Sequence, residues 1–210
     1  MGYGKAVRSC ILTTKKAVGK TILTVEGLSY DEQEAFVYAF GSVGAVQCGF
    51  CIPGMVMAGK ALIDQNPNPS EGEIKKAIRG NVCRCTGYKK IIEGISLAAA
   101  ILRGDEKIDP ALEGGDRYQV GDRAFRTDVR EKVLGTGEYC DDVEMEGMVH
   151  GSAIRSQYPR ARILNIDASE ALAMPGVLAV LTADDVPHNK VGHLQQDWDV
   201  FIAKGAITRC

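Results

Sequence analysis

Two cysteine pairs constrain this chain more than any other feature. Cys48 and Cys51 form a C-x2-C pair, and Cys83 and Cys85 form a C-x-C pair. The chain opens Met1-Gly-Tyr-Gly-Lys5 and runs straight into mixed sequence, so no secretory leader is read there and a cytoplasmic location is expected. Disulfides are disfavoured in that compartment, and the cysteine total of seven is odd, so tight cysteine pairs point to metal or redox chemistry.

The intervening sequence explains how the two pairs could meet. Ser29 and Glu32 form a capping box, and Phe36, Val37 and Phe40 then share one helical face up to Gly41 and Gly44. After the first cysteine loop, Pro53 suits the first position of a helix carrying Met55, Gly59 and Leu62 on one stripe. Asn66-Pro-Asn-Pro69 turns the chain, and Ser70 with Glu73 caps a short helix over Ile74, Ala77 and Ile78, closed by Gly80. Beyond the second cysteine loop, a last helix directs Ile91, Ile95, Ala98 and Leu102 inward and stops at Gly104. Four helices alternating with two cysteine loops predict a four-helix bundle with a metal site at one end.

Four thiolates suit a [2Fe–2S] cluster, with Gly49 and Gly87 letting backbone N–H groups approach the sulfurs. They suit a structural zinc ion equally well, and spacing alone does not separate the two. A thiol–disulfide pair at Cys48 and Cys51 is a weaker third reading, because it leaves Cys83 and Cys85 without a role.

Elsewhere the pattern changes. Lys5–Leu12 and Thr21–Val25 are rich in β-branched residues and read as strands. Residues 105–117 are charged, contain Pro and Gly, lack periodicity and read as a linker. Past them, Met148–Ile154, Ala161–Ile166 and Val177–Leu181 read as strands, with Ser169 capping a short helix and Asp184-Asp185 starting another after Ala183. The net charge of −2 comes with scattered Lys and Arg, which leaves no basic stripe for nucleic acid or an anionic membrane surface. The longest apolar run, Ile95–Leu102 with Ser96 inside it, is far too short to span a bilayer. His150, His188 and His193 show no ligand spacing, and Cys140 and Cys210 read as free thiols.

Gln47-Cys-Gly-Phe-Cys-Ile-Pro-Gly-Met55 and Arg79-Gly-Asn-Val-Cys-Arg-Cys-Thr-Gly-Tyr88 resemble the second iron–sulfur domain of the xanthine dehydrogenase and aldehyde oxidoreductase family, the molybdenum hydroxylases. The resemblance favours [2Fe–2S] over a zinc-binding structural or interaction module. It implies a cluster on Cys48, Cys51, Cys83 and Cys85 that relays electrons from a molybdenum–pterin (molybdopterin) centre, with Gln47 contacting the pterin and Cys85 nearest to it. Gly4–Cys10 and Thr24–Leu28 resemble the tail of a plant-type ferredoxin domain, with Cys10 matching the fourth ligand of a second [2Fe–2S] cluster. Its other three ligands are not in this sequence, so Cys10 stands as a stranded ligand and reads as a buried strand thiol. Gly135–Asp142, Met148–Arg155 and Pro159–Arg162 resemble the opening of the molybdenum-binding, hammerhead-like part.

The resulting expectation is an α+β multidomain chain cut at both ends. Residues 1–28 are a β-grasp ferredoxin-like remnant, 29–104 the helical [2Fe–2S] domain, and 118–210 the α/β start of the molybdenum-binding domain. The resemblance is to forms without an internal flavin domain, which implies no FAD on this chain and a flavin subunit elsewhere or none. Its partners would be the molybdenum and ferredoxin-like domains, with an outside electron acceptor. The intact parent would be an oxidoreductase that hydroxylates an aldehyde or an N-heterocycle such as a purine, with oxygen from water. This chain carries none of its catalytic residues.

Overall fold

The structure, a computed structural model, describes residues 4–109, 120–121 and 124–208. Residues 110–117 of the expected linker and Cys210 lie outside the described residues. The chain divides into two compact units, Met1–Val143 and Glu144–Cys210.

In the first unit four helices share one core: α2 (Tyr30–Ser42), α3 (Ile52–Gln65), α4 (Glu71–Ile78) and α5 (Lys89–Arg103), after a single turn α1 (Thr14–Ala17). Local chemistry sets their starts. Ser29 and Glu32 exchange capping bonds, Glu32 N–H to the Ser29 hydroxyl at 3.4 Å and Ser29 N–H to the Glu32 carboxylate at 2.9 Å. Ser70 and Glu73 repeat the pattern at 3.3 and 2.8 Å. Cys51 itself is the N-cap of α3, with Pro53 in the first turn. At the other end of α2, Gly44 takes φ +69°, and the Ala45 N–H returns to the Phe40 carbonyl at 2.9 Å.

Packing follows the apolar stripes. Helix α5 lies along α2 and also meets α3 and α4, while α3 packs on α4. Phe36 and Phe40 are fully buried and meet edge to face, with centroids 6.2 Å apart. Two glycines permit the close approach of helices. A Cβ on Gly94 would stand 3.1 Å from the Phe40 ring, and one on Gly59 would stand 3.1 Å from Ile95. Across the α2–α3 seam, Lys60 on α3 reaches Glu32 at 2.9 Å, and within α3 it pairs with Asp64 at 2.5 Å. Burial opposes the Glu32 charge, but Lys60 and the Ser29 amide hold its carboxyl below the ordinary value.

One expectation for this unit needs correction. Lys5–Leu12 and Thr21–Val25 are not strands: they hold the 3-10 turns Ser9–Ile11 and Val25–Gly27. A strand persists only where a neighbour takes up its alternate N–H and C=O groups, and among the described residues nothing does so here. Val25 and Leu28 instead close the helical core. The unit also extends past residue 117 to Val143, because α6 (Val129–Leu134) packs on α2 and α3 and buries Val129 and Val133 in the same core.

In the second unit, α7 (Ser169–Ala173) forms where expected, although Ala168 is its N-cap and the Asp167 carboxylate takes the Ser169 N–H at 3.0 Å. Ala183–Asp185 is a 3-10 turn opened by Thr182. The strands are β1 (Lys190–Val191) and β2 (Trp198–Asp199), antiparallel with Lys190 opposite Asp199. The strands expected at Met148–Ile154 and Val177–Leu181 do not form, and Ala161–Ile166 contributes a bridge from Arg162 to Ile207, flanked by backbone bonds of Ala161 and Ile163 to Gly205, Ala206 and Thr208. Ile154, Leu164 and Leu178 stand exposed, so no opposing apolar face rewards the pairing these segments are patterned for. No helix among the described residues is long and apolar enough to cross a membrane.

Phe40→Ala removes a fully buried ring from the helical core and should lower its stability by about 3–5 kcal/mol. The midpoint of urea unfolding checks this, and a shift under 1 kcal/mol, roughly that of a surface change, would contradict the packing described.

Candidate metal centre

The core sets where the four cysteines stand. Cys48 lies in the α2–α3 loop and Cys51 caps α3, while Cys83 and Cys85 lie in the α4–α5 loop. Contact between α3 and α4 returns the chain, so the loops meet. The Cys85 and Cys48 sulfurs are 3.6 Å apart, and the Cys51 thiol is paired with the Cys83 sulfur. The first pair is exposed and the second half-buried.

This grouping bears on the choice of metal. Among the described residues no three His, Cys, Asp or Glu side chains converge on one ion, and four cysteines are the donor set of a structural zinc ion as well as of a [2Fe–2S] cluster. Two sulfur pairs offer two thiolates to each of two irons, which is what a four-cysteine [2Fe–2S] cluster takes. The donor set therefore fits that cluster.

The proton balance is uneven across the half-buried pair. Burial, then the Cys83 sulfur, pushes the Cys51 thiol up to about 12. Burial also opposes the Cys83 thiolate, but the Thr86 hydroxyl, 3.2 Å from its sulfur, and the amides of Thr86 and Cys85 bring that thiol below its ordinary value. In the exposed pair, the bond to the Cys48 sulfur raises the Cys85 thiol, while the Cys48 amide acts to lower it. Donors aimed at sulfur favour the thiolates a metal requires, and on a cluster they favour the reduced state.

The second loop is closed by Tyr88. It is the non-glycine residue at positive φ among the described residues, at +69°. There its N–H donates to the Thr86 hydroxyl at 3.3 Å, and its own hydroxyl accepts the Cys83 N–H at 2.9 Å and donates to the Asn81 carbonyl at 3.1 Å. In the first loop Gly49 takes φ +86°, and a Cβ there would stand 2.7 Å from Lys132, so only glycine fits without displacement.

The remaining sequence-derived candidates fall as follows. Gln47 has an exposed side chain, and its carbonyl accepts from Arg126. Cys10 is exposed in the 3-10 turn Ser9–Ile11, not a buried strand thiol, because the sheet that would cover it is not formed. His150, His188 and His193 are exposed. Sequence reasoning missed Thr86 and Tyr88, whose place beside the C-x-C pair was the available signal. It also missed Arg126, Lys132 and Tyr139, for which no local signal exists.

A family model described as "[2Fe-2S] binding domain" matches residues 24–96. A second, described as "Aldehyde oxidase and xanthine dehydrogenase, a/b hammerhead domain", matches residues 134–209. The chain is 36% identical over 197 residues to the aldehyde oxidoreductase of Megalodesulfovibrio gigas, covering 87% of this chain and 21% of that protein. It is 44% identical over 96 residues to the nicotinate dehydrogenase small FeS subunit of Eubacterium barkeri, covering 45% of this chain and 61% of the relative. The crystal structure of the aldehyde oxidoreductase from Desulfovibrio desulfuricans ATCC 27774 superposes with a TM-score of 0.68 at 34% identity, over 88% of this chain and 22% of that one. The chain thus spans about a fifth of the length of the aldehyde oxidoreductases it matches.

Tyr88→Phe removes the hydroxyl that joins Cys83 N–H to the Asn81 carbonyl. The cost should be about 1–2 kcal/mol of stability, read from urea unfolding of the metal-free chain. A wild-type midpoint would mean that hydroxyl does not close the loop.

Proposed function

This chain belongs to the aldehyde oxidase and xanthine dehydrogenase family, and from that premise we propose that Cys48, Cys51, Cys83 and Cys85 hold a [2Fe–2S] cluster for electron transfer. The observation that carries the proposal is the grouping of four sulfurs into two pairs on two facing loops. When bound, such a cluster supplies a one-electron carrier between a molybdenum–pterin centre and a second cluster.

The chain's own residues do the positioning. Cys51 and Cys83 form the side of the site against the helical core, and Cys48 and Cys85 form the exposed side. The amides of Cys85 and Thr86 and the Thr86 hydroxyl stabilise negative charge on Cys83, which favours the reduced state and raises the potential. We assign the exposed side to the pterin, with Cys85 nearest and Gln47 in contact. Its support is that both residues are exposed and lie on the two loops that meet there.

Under the same reading residues 29–104 are a four-helix [2Fe–2S] bundle and 1–28 belong to a ferredoxin-like domain in which Cys10 is one ligand of a second cluster. The molybdenum-binding part begins within the segment that packs on the helices. The whole protein hydroxylates an aldehyde or an N-heterocycle, and its partners are the molybdenum and ferredoxin-like domains and an electron acceptor or flavin subunit. A cytoplasmic setting belongs to the same reading.

Anaerobic purification of the full chain, with iron, acid-labile sulfide and zinc analysis and a visible spectrum, tests the cluster. A coloured protein with iron and sulfide in equal amounts is expected, lost on Cys83→Ser or Cys85→Ser. A colourless protein with stoichiometric zinc would overturn it.

A further inference from the structure

The segment after the helices contributes no cysteine to the site, yet it holds the backbone of the first cysteine loop. It is well anchored on the helical core. The Phe125 ring packs against Tyr38, with centroids 5.8 Å apart, and occupies the space a Cβ on Gly41 would need, 2.9 Å away. Val129 and Val133 of α6 are buried. Arg130 donates to both oxygens of Glu34 on α2, at 2.8 and 2.6 Å.

So anchored, the segment meets each residue from Gln47 to Phe50. Arg126 engages Asp128 through Nε and Nη2, which leaves Nη1 to donate to the Gln47 carbonyl. Tyr139 donates its hydroxyl to the Cys48 carbonyl at 3.1 Å, and its ring meets Phe50 edge to face at 5.9 Å. Lys132 is buried, with its methylenes filling the space where a Cβ on Gly49 would stand. Its ammonium lies 3.7 Å from the centre of the Tyr139 ring and donates to the Glu138 carbonyl at 3.2 Å.

We propose that residues 125–139 are a positioning strap, in which Arg126, Lys132 and Tyr139 fix the Cys48 loop and set the potential of the cluster it holds. The proposal rests on the [2Fe–2S] reading above. One peptide group carries the mechanism. Its carbonyl, on Gln47, is held by Arg126, and its N–H belongs to Cys48, whose sulfur stands 3.6 Å from that of Cys85. In a trans peptide these two dipole ends point opposite ways, so a donor on the carbonyl fixes the direction of the Cys48 N–H and polarises it. Tyr139 holds the next carbonyl in the same way. Asp128 offsets the charge of Arg126, so Arg126 acts through the peptide. Lys132 adds a cation behind the loop, and a cation beside a site that gains negative charge on reduction favours the reduced state.

The test uses the full chain with its cluster, in Arg126→Met, Lys132→Met and Tyr139→Phe, all of which keep the Phe125, Val129 and Val133 anchors. Midpoint potential is read by redox titration with electron paramagnetic resonance of the reduced cluster. Arg126→Met and Lys132→Met should shift the potential downward at unchanged iron and sulfide content, Tyr139→Phe should shift it less, and Lys132→Arg should restore it. A second arm needs no metal: in the cluster-free chain, amide exchange at Gln47–Phe50 should quicken roughly tenfold in Arg126→Met and Tyr139→Phe, about the value of one hydrogen bond. Wild-type potentials and spectra in both Met variants, or unchanged exchange in the cluster-free chain, would overturn the strap. A wild-type chain without iron and sulfide, together with quickened exchange in the variants, would sink the cluster reading and keep the strap as a loop clamp.

Discussion

Sulfurs brought within about 4 Å of one another repel as thiolates and gain only a weak S–H···S bond as thiols, so something other than their own attraction must hold two cysteine loops together. Here it is the apolar core beneath them. Phe36, Phe40, Met55, Ile74, Ile91 and Ile95 are buried in one cluster to which all four helices contribute. The close approaches at Gly59 and Gly94 let α5 settle against α3 and α2. With the helices fixed, the loops have only a few residues in which to vary. Cys48 then meets Cys85, and Cys51 meets Cys83. The gathering of the cysteines is thus a consequence of helix packing, and metal binding would add its own free energy to the same folded state.

The site is asymmetric in ways that suit a relay. Its inner side is half-buried and supplied with hydroxyl and amide donors from Thr86 and Cys85. Its outer side, with Cys48 and Cys85, is exposed beside the exposed side chains of Gln47 and Phe50. Donors and burial on one side tune the affinity for an electron, while exposure on the other leaves a short path outward. The segment carrying Arg126, Lys132 and Tyr139 joins these two aspects, since it is rooted in the core and ends on the exposed loop.

Much of the helical unit was legible in the chain. Capping boxes at Ser29 and Ser70 are read within four residues, and apolar stripes such as Ile91, Ile95 and Ala98 are read within a few turns, because both depend on short-range geometry. The strands were legible only as propensity. Thr21–Val25 and Val177–Leu181 carry β-branched or aliphatic residues, but a strand is a relation to a neighbour, and no described residue pairs with either segment.

The four cysteines, their spacing and the motifs around them were determined by sequence alone, and they sufficed for a four-thiolate site and its family. Tertiary structure decided what lies between residues distant in the chain: the division of the sulfurs into two pairs, the inner and outer sides, and the hold of Arg126 and Tyr139 on the carbonyls of Gln47 and Cys48. Those contacts join positions some 80 to 90 residues apart. They exist because Val129 and Val133 lose water on the helical core, and no local pattern near Tyr139 records where that core will be.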